Sequence, residues 1–319
     1  MTTPLVSVII PVYNGEKYIA DTINSILAQT YLNIEIIVIN DASTDRTEEI
    51  VNKFSLKHNI LLKNNLKNIG ASASRNLGYN NAKGQIIKFL DADDLINPEA
   101  VGEQVKLVSE NPECVISGKW GRFYNDDVTT FRLNPENCWR TLDASDWICS
   151  SWHNAQSMTN PGIFSIPRNI VEKAGLWDER LSLIDDMEYF TKTILSADKV
   201  VFCENSTLYY RSGVENSLSG IKSRKAYQSA YLSLEKSTNT LLNKRSDITA
   251  KAACANLWQL FIYEIYPTQT DIASKALTHL KKLPAPTIKF PAGGLSKILL
   301  PFLGWRMLKK LQFLKHKKT

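Results

Sequence analysis

The sequence predicts an α/β protein: a doubly wound, mostly parallel sheet flanked by helices, with a helical C-terminal extension. Three observations predict it. Up to about residue 120, short apolar runs alternate with helix-period segments, a pattern that implies right-handed crossovers and a mostly parallel sheet. Several of these runs end abruptly in Asn- and Asp-rich turns, at Asn14, Asn40-Asp41 and Asp91 to Asp94. From about residue 221 the pattern is helical apart from a break at Leu283-Pro284-Ala285-Pro286.

Taken in order, Val6 to Val12 reads as a strand, and Ile19, Ile23, Ile26 and Leu27 recur on one face of a helix. Ile34 to Ile39 is the next strand. Asp45 with Glu48 has the spacing of a capping box opening a helix through Val51 and Phe54. A short strand near Ile60 to Leu62 and a helix from about Ala71 to Ala82 follow. The run Ile86-Ile87-Lys88-Phe89-Leu90 is short, β-branched and aromatic, as a buried strand should be. Pro98 and Glu99 then open a helix, and Cys114 to Ser117 forms another strand. Residues 119 to 160 are expected to be less regular. Helical periodicity returns at Pro167 to Ala174 and Asp186 to Leu195, followed by strands at Lys199 to Cys203 and Leu208 to Tyr210. The expected division is residues 1–220, carrying the sheet, and residues 221–319, the helical extension.

The chain has 319 residues, of which 44% are hydrophobic and 22% charged, ordinary proportions for a globular protein. No apolar run reaches the roughly 20 residues that span a bilayer. The N-terminus has no basic region of the secretory kind. Cysteines 114, 138, 149, 203 and 254 are scattered, odd in number and without a Cys-x-x-Cys pair, so reduced, buried thiols of a cytoplasmic protein are expected. The net charge of +6 hides an asymmetry: residues 272–319 hold eleven Lys or Arg and no Asp or Glu, whereas the rest holds 27 basic against 32 acidic residues. An acidic body with a basic tail is not the pattern of a general nucleic-acid binder.

The turns carry the candidate chemistry. Asp91, Asp93 and Asp94 crowd a strand terminus, and a divalent cation with oxygen ligands relieves such repulsion; the plainer alternative is a polar turn leading into the next helix. Ile10-Pro11-Val12-Tyr13-Asn14-Gly15 is a strand-to-helix turn on which a nucleotide can lie, with Tyr13 or Val12 against a base. A dinucleotide fingerprint needs more glycines than are present there. Asp41 ends its strand as a lone carboxylate suited to a base edge or ribose, or else forms an Asx turn. Small residues from Asn68 to Gly78 open a helix whose N-terminal amides an anion can approach. Arg75 adds charge there, either for that anion or to pair with an acidic side chain of the same sheet edge.

Four segments, in order and spacing, resemble the family 2 glycosyltransferases with the GT-A fold: Val6 to Asn14, Ile37 to Asp45, Asn68 to Gly78, and Phe89 to Asp94. The resemblance covers roughly residues 5–211. It implies a nucleotide-sugar site carrying Mn²⁺ or Mg²⁺, with a UDP-sugar as the expected donor. Pro11, Tyr13 and Asp41 would hold the nucleoside, with Asn14 among the substrate-binding positions and Arg75 near the base or diphosphate. Asp91 would reach ribose and metal, Asp93 would be the principal metal ligand, and Asp94 would face the donor sugar. A fifth match, Gly175 to Glu179 followed by Leu183 to Phe190, resembles the family's acidic base motif and implies Asp186 as general base. Asp185 or Asp186 is also a candidate N-cap of the helix running to Leu195. The family often has a histidine shortly after a Tyr-Arg pair; Tyr210-Arg211 is followed by none, which leaves Arg211 as a candidate for the diphosphate. Within the insert, Trp139, Trp147 and Trp152 are expected in the core, and His153 as a hydrogen-bonded structural histidine.

The tail from Ser296 to Lys318 mixes Trp, Phe and Leu with clustered lysines and has the character of a segment lying on an anionic membrane; the alternative is a helix packed on the body. The expectation is an inverting hexosyl- or N-acetylhexosaminyltransferase, cytoplasmic and peripheral on the inner face of the cell membrane. It would act on a saccharide or lipid-linked saccharide acceptor in bacterial surface polysaccharide or glycolipid assembly. The competing reading is a non-catalytic nucleotide-sugar-binding or membrane adaptor built on a degenerate transferase fold. A processive synthase would need transmembrane helices and a Gln-x-x-Arg-Trp segment, both absent from the sequence.

Overall fold

The computed structural model describes residues 3–155, 159–213 and 222–316. β1 (Val6–Val12) is buried along its whole length. α1 (Ile19–Leu27), β2 (Ile34–Asn40), α2 (Thr47–Ser55), β3 (Ile60–Asn64), α3 (Ala71–Asn81) and β4 (Ile86–Phe89) follow. β1 pairs in parallel with β2 on one side and β4 on the other, and β2 with β3. A strand in the middle of such a sheet is covered by helices on both faces, hence its nearly unbroken apolar run.

Next come β5 (Leu95–Ile96), α4 (Ala100–Glu110), β6 (Val115–Tyr124), β7 (Asp127–Leu133), β8 (Leu142–Asp143) and α5 (Ala144–Trp152). A 3₁₀ turn at Pro161–Ile163 leads to β9 (Phe164–Pro167), α6 (Arg168–Ala174), α7 (Asp185–Leu195) and β10 (Lys199–Ser212). The sheet runs β3-β2-β1-β4-β9-β6-β10-β5, with β7 beside β6 and β8 beside β10. The long pairings, β1 with β2 and β6 with β10, are parallel; β9 is antiparallel to β4 and β6 and joins the two halves. Because β1 has β2 and β4 on opposite sides, the sheet's topological switch, where α/β folds bind ligands, lies at its carboxyl end.

The expected elements are present, with four corrections. Asp45 and Glu48 form no capping box: Asp45 accepts the Thr47 and Glu16 amides, each at 2.9 Å, and Glu48 accepts from Asn64 at 2.8 Å. Asp45 lies two residues before the helix, so it ties the helix start to the β1 turn instead. The stretch 119–160 is more regular than expected, holding the end of β6, a hairpin with β7, and α5. The two strands expected between residues 199 and 210 are one, β10, whose register shifts between Phe202 and Thr207. The helical break at Leu283 runs on to about residue 293. Trp147 and Trp152 are in the core, Trp139 stacks on Phe202 at 6.0 Å, and the five cysteines are buried and free. His153 is exposed, and it is its backbone carbonyl that accepts a hydrogen bond, from Asn256.

The extension comprises α8 (Arg224–Lys244), α9 (Ile248–Ile265), α10 (Thr270–Leu280) and α11 (Leu295–His316). Leu234, Leu241 and Trp258 belong to the same buried cluster as Val8 and Ile9 of β1. α11 is broken at Gly304, whose φ of 66° lies in the left-handed region. Its Leu308 and Trp305 pack with Tyr263 and Phe290, while Ile298, Phe302, Met307 and Leu314 face solvent. No helix among the described residues is long and apolar enough to cross a membrane.

Candidate active site

The polar ends of β1, β2 and β4 come together at the switch. Pro11 is buried within β1 opposite Ile39, whereas Tyr13 projects with 52% of its surface exposed. Asn14 sits at φ 50°, a conformation asparagine tolerates, and its Oδ1 accepts the Thr44 amide at 2.8 Å. The β1 and β2 turns are thus laced together. Asp41 is buried: Oδ1 accepts from Asn65 Nδ2 and the Ile69 amide, and Oδ2 from the Gly70 amide, at 2.8–2.9 Å. Here the carboxylate shapes the loop that enters α3. Gly70 makes that entry at φ 90°, where a Cβ would be strained. Gly78, two turns on, lies so close to β1 that a Cβ would meet Ile9 at 2.3 Å.

On the first turns of α3, Arg75 is almost wholly buried and reaches two carboxylates, Asp91 at 2.8 Å and Asp185 at 3.0 Å, with its face 4.4 Å above the Trp177 ring. Asp91 is on the sheet edge, so pairing with an acidic side chain there is realised. Ser72 also donates to Asp185, at 2.7 Å. One guanidinium therefore ties the turn after β4 to the start of α7.

The three carboxylates after β4 have different surroundings. Asp94 is fully buried, and its oxygens accept from Asn160 Nδ2 at 2.8 Å and the Arg211 amide at 3.0 Å. Both are engaged within the protein, where Asp94 braces β10 against the turn. Arg211 is equally committed. It donates to the Asp93 carbonyl at 2.8 Å, pairs with Asp21 and Asp126, and lies between the rings of Tyr18 and Phe123. Its contacts position the Asp93 backbone. The segment that follows, where the family histidine would stand, lies outside the described residues from residue 214. Asp93 itself has no side-chain donor among the described residues. Burial, then the adjacent Asp91 charge, pushes its carboxyl up to about 6.

Asp185 and Asp186 open α7, but neither is its N-cap; that position is Ile184, which makes no side-chain bond. Asp186 accepts the Met187 amide at 2.9 Å and the Thr159 hydroxyl at 3.1 Å. Burial and then the Asp185 charge push it up to about 7, against the opposing pull of these hydrogen bonds and Arg75. Burial, then the Asp93 and Asp91 charges, also raise Asp94, so carboxylates of elevated proton affinity stand on each of two turns joined by a buried arginine.

Residues 7–159 match the family model described as glycosyl transferase family 2. An uncharacterized glycosyltransferase of Rickettsia typhi is 30% identical over 279 residues, covering 87% of this chain and 77% of the relative. The chain belongs to glycosyltransferase family 2. GlyA of Streptococcus pneumoniae is 31% identical over 211 residues, or 65% of this transferase and 30% of GlyA. In fold, the transferase is similar to S. aureus TarS solved with UDP-GlcNAc, with a TM-score of 0.63 and 19% identity over 87% of this chain and 89% of that one. The mannosyltransferase PcManGT of Pyrobaculum calidifontis, solved with GDP-Man and Mn²⁺, aligns with a TM-score of 0.56 and 17% identity over 98% and 85%. These likenesses establish the GT-A architecture.

Several site residues of the transferase were not legible in its sequence. Thr159 and Asn160 have no motif of their own; only the fold shows that these adjacent residues bind Asp186 and Asp94. Lys88 is read as part of an apolar run, yet its Nζ donates to the Gly162 and Phe164 carbonyls and Gln104 in the core, pinning that turn to β4. Two surface depressions, near Pro4 and Gln85 and near Lys83 and Arg168, lie at the other ends of these strands and contain none of the site carboxylates.

Proposed function

We propose that this transferase moves a hexosyl or N-acetylhexosaminyl group from a nucleotide-diphosphate donor, a UDP-sugar, to an acceptor hydroxyl with inversion. Asp186 serves as general base. The observation that carries this reading is the environment of Asp186: a carboxylate raised to about 7, held by Thr159 and presented on the first turn of α7. An effective base titrates close to the operating pH. It removes the hydroxyl proton as the acceptor oxygen attacks, and Arg75 holds the neighbouring Asp185 in an ion pair.

The residues of the turn after β4 fit a divalent cation, Mn²⁺ or Mg²⁺. Asp93 has no ion pair at its carboxylate among the described residues, and burial, then the Asp91 charge, raise its proton affinity against the pull of Arg211. A cation of this kind can be bound by one or two carboxylates and completed by substrate phosphates. Asp93 and Asp91 would hold it, and the cation would neutralise charge on the departing diphosphate. Tyr13, Asn14 and Asp41 line or shape the nucleoside end, with Pro11 supporting the turn beneath them.

Residues 1–220 form the donor-binding and catalytic unit in this proposal, and 221–319 the extension. The exposed apolar residues of α11, in a segment without acidic residues, support docking on the anionic cytoplasmic membrane surface. That places the enzyme beside a lipid-linked saccharide acceptor, in surface polysaccharide or glycolipid assembly. The last residues of that tail, 317–319, lie outside the described residues.

The test is a thermal-shift and donor-hydrolysis screen over nucleotide sugars with and without Mn²⁺. Stabilisation by one nucleotide only with metal, together with slow hydrolysis, is the expected result. No shift with any nucleotide would overturn the enzyme reading in favour of the degenerate adaptor.

A further inference from the structure

Ile184, directly before the Asp185-Asp186 pair, has φ 51° and ψ 34°. A β-branched residue is a strained occupant of the left-handed region, and such strain persists only where the surroundings over-determine it. The surroundings here come from the extension. Ser229 of α8 accepts the Ser182 and Leu183 amides at 2.8 and 3.1 Å and is 3.2 Å from the Leu183 carbonyl, to which it is the donor. One helical turn later, Ser233 donates to the Ile184 carbonyl at 2.5 Å. Both serines are buried, and residues four apart face the same way on a helix. On its other side the loop is held by α3, whose Ser72 is bonded to both the Leu181 carbonyl and Asp185.

We propose that Ser229 and Ser233 are positioning residues for the catalytic base. They lock residues 182–184 in the strained turn that sets where Asp186 points, making α8 a working part of the active site. The inference rests on the reading of Asp186 as the base. Lys236, on the same helix, anchors α8 independently through Asp178 and Glu188. Loss of the serine bonds therefore frees the loop without detaching the helix. Displacement of a reacting group by about 1 Å is enough for a loss of roughly 10²-fold.

The experiment compares Ser229→Ala, Ser233→Ala, the double variant and Asp186→Asn in full-length protein. For each, kcat, donor KM and the donor-induced thermal shift are measured, with amide hydrogen exchange at Ser182 and Leu183. The double variant should lose kcat by about 10- to 100-fold, keep donor KM and thermal shift within twofold, and exchange both amides faster. A folded double variant with kcat within twofold of wild type overturns the inference, and so does a rise in donor KM at unchanged kcat. If the double variant does not fold, the single variants decide by the same criteria. Should Asp186→Asn itself retain turnover, the base assignment fails first; if it is inactive while the serine variants are fully active, only the role of the serines fails.

Discussion

The two acidic turns of the site, one after β4 and one opening α7, are built alike and differ in what faces them. In each, one carboxylate is paired with Arg75 and a neighbour has no ion pair among the described residues: Asp91 beside Asp93, Asp185 beside Asp186. The β4 turn has a third acid, Asp94, sealed into the core by Asn160 and the Arg211 amide. The first turn of α7 also has a third acid, Glu188, buried and paired with Lys192 and Lys236, while Asp186 receives a hydroxyl from Thr159. A shared arginine thus sorts two pairs of acids by one rule. The acid it touches is held in an ion pair, and burial raises the proton affinity of the neighbour it does not touch.

The sharpest way to break this comparison is Asp186→Asn. Turnover should fall by about 10²- to 10⁴-fold, with donor binding retained, read by single-turnover transfer and donor titration. The same variant should melt higher than wild type at pH 8. The sign follows from the raised proton affinity: the folded protein holds this proton more tightly than the unfolded chain, so the stability it provides is complete below the ordinary carboxylate range. That stability is lost as pH rises through about 7. At pH 4 the advantage of the asparagine should disappear. A variant both inactive and less stable at pH 8 would mean that Asp186 is a structural acid.

Next in size is Arg75→Ala. It leaves two carboxylates without their buried partner, and removing one member of a buried pair typically destabilises by about 3–5 kcal/mol. Urea unfolding should show that loss, whereas Arg75→Lys should recover only part of it, since one ammonium cannot span Asp91 and Asp185 as the fork does. Retained stability in the alanine variant would show that the two turns are not joined through this residue.

A smaller effect sharpens the distinction between the turns. Asp93→Asn should abolish the metal-dependent part of the donor-induced thermal shift and leave the metal-free part, whereas Asp186→Asn should preserve both. The smallest effect is expected from Thr159→Val. Without a hydrogen bond to its charged form, Asp186 should gain proton affinity, so the acid limb of kcat moves to higher pH by a fraction of a unit. An unmoved limb would assign that limb to another group.

Much of the fold could be read from the chain. β1, α1, β2, α3, α6 and α7 lie within a residue or two of their expected bounds, because each is encoded by a local period and a polar stop. The failures have a common origin. Asp45 and Glu48 have the right spacing for a cap, but the β1 turn and Asn64 compete for them. The insert 119–160 gains its strand order by pairing with β10, some 85 residues away. The partners of Asp94 and Arg211 within the protein are likewise visible only in the packed fold.

The sequence by itself determined the α/β class, the switch-point turns and the acids that stand on them, because strand and helix periods and chain-terminating polar residues act over a few positions. The tertiary structure decided which of those acids are neutralised. Arg75 meets Asp185 across 110 residues, Asn160 meets Asp94 across 66, and Ser233 meets Ile184 across 49. Proton affinity depends on burial and on charges a few ångströms away in space, and distance along the chain does not encode that.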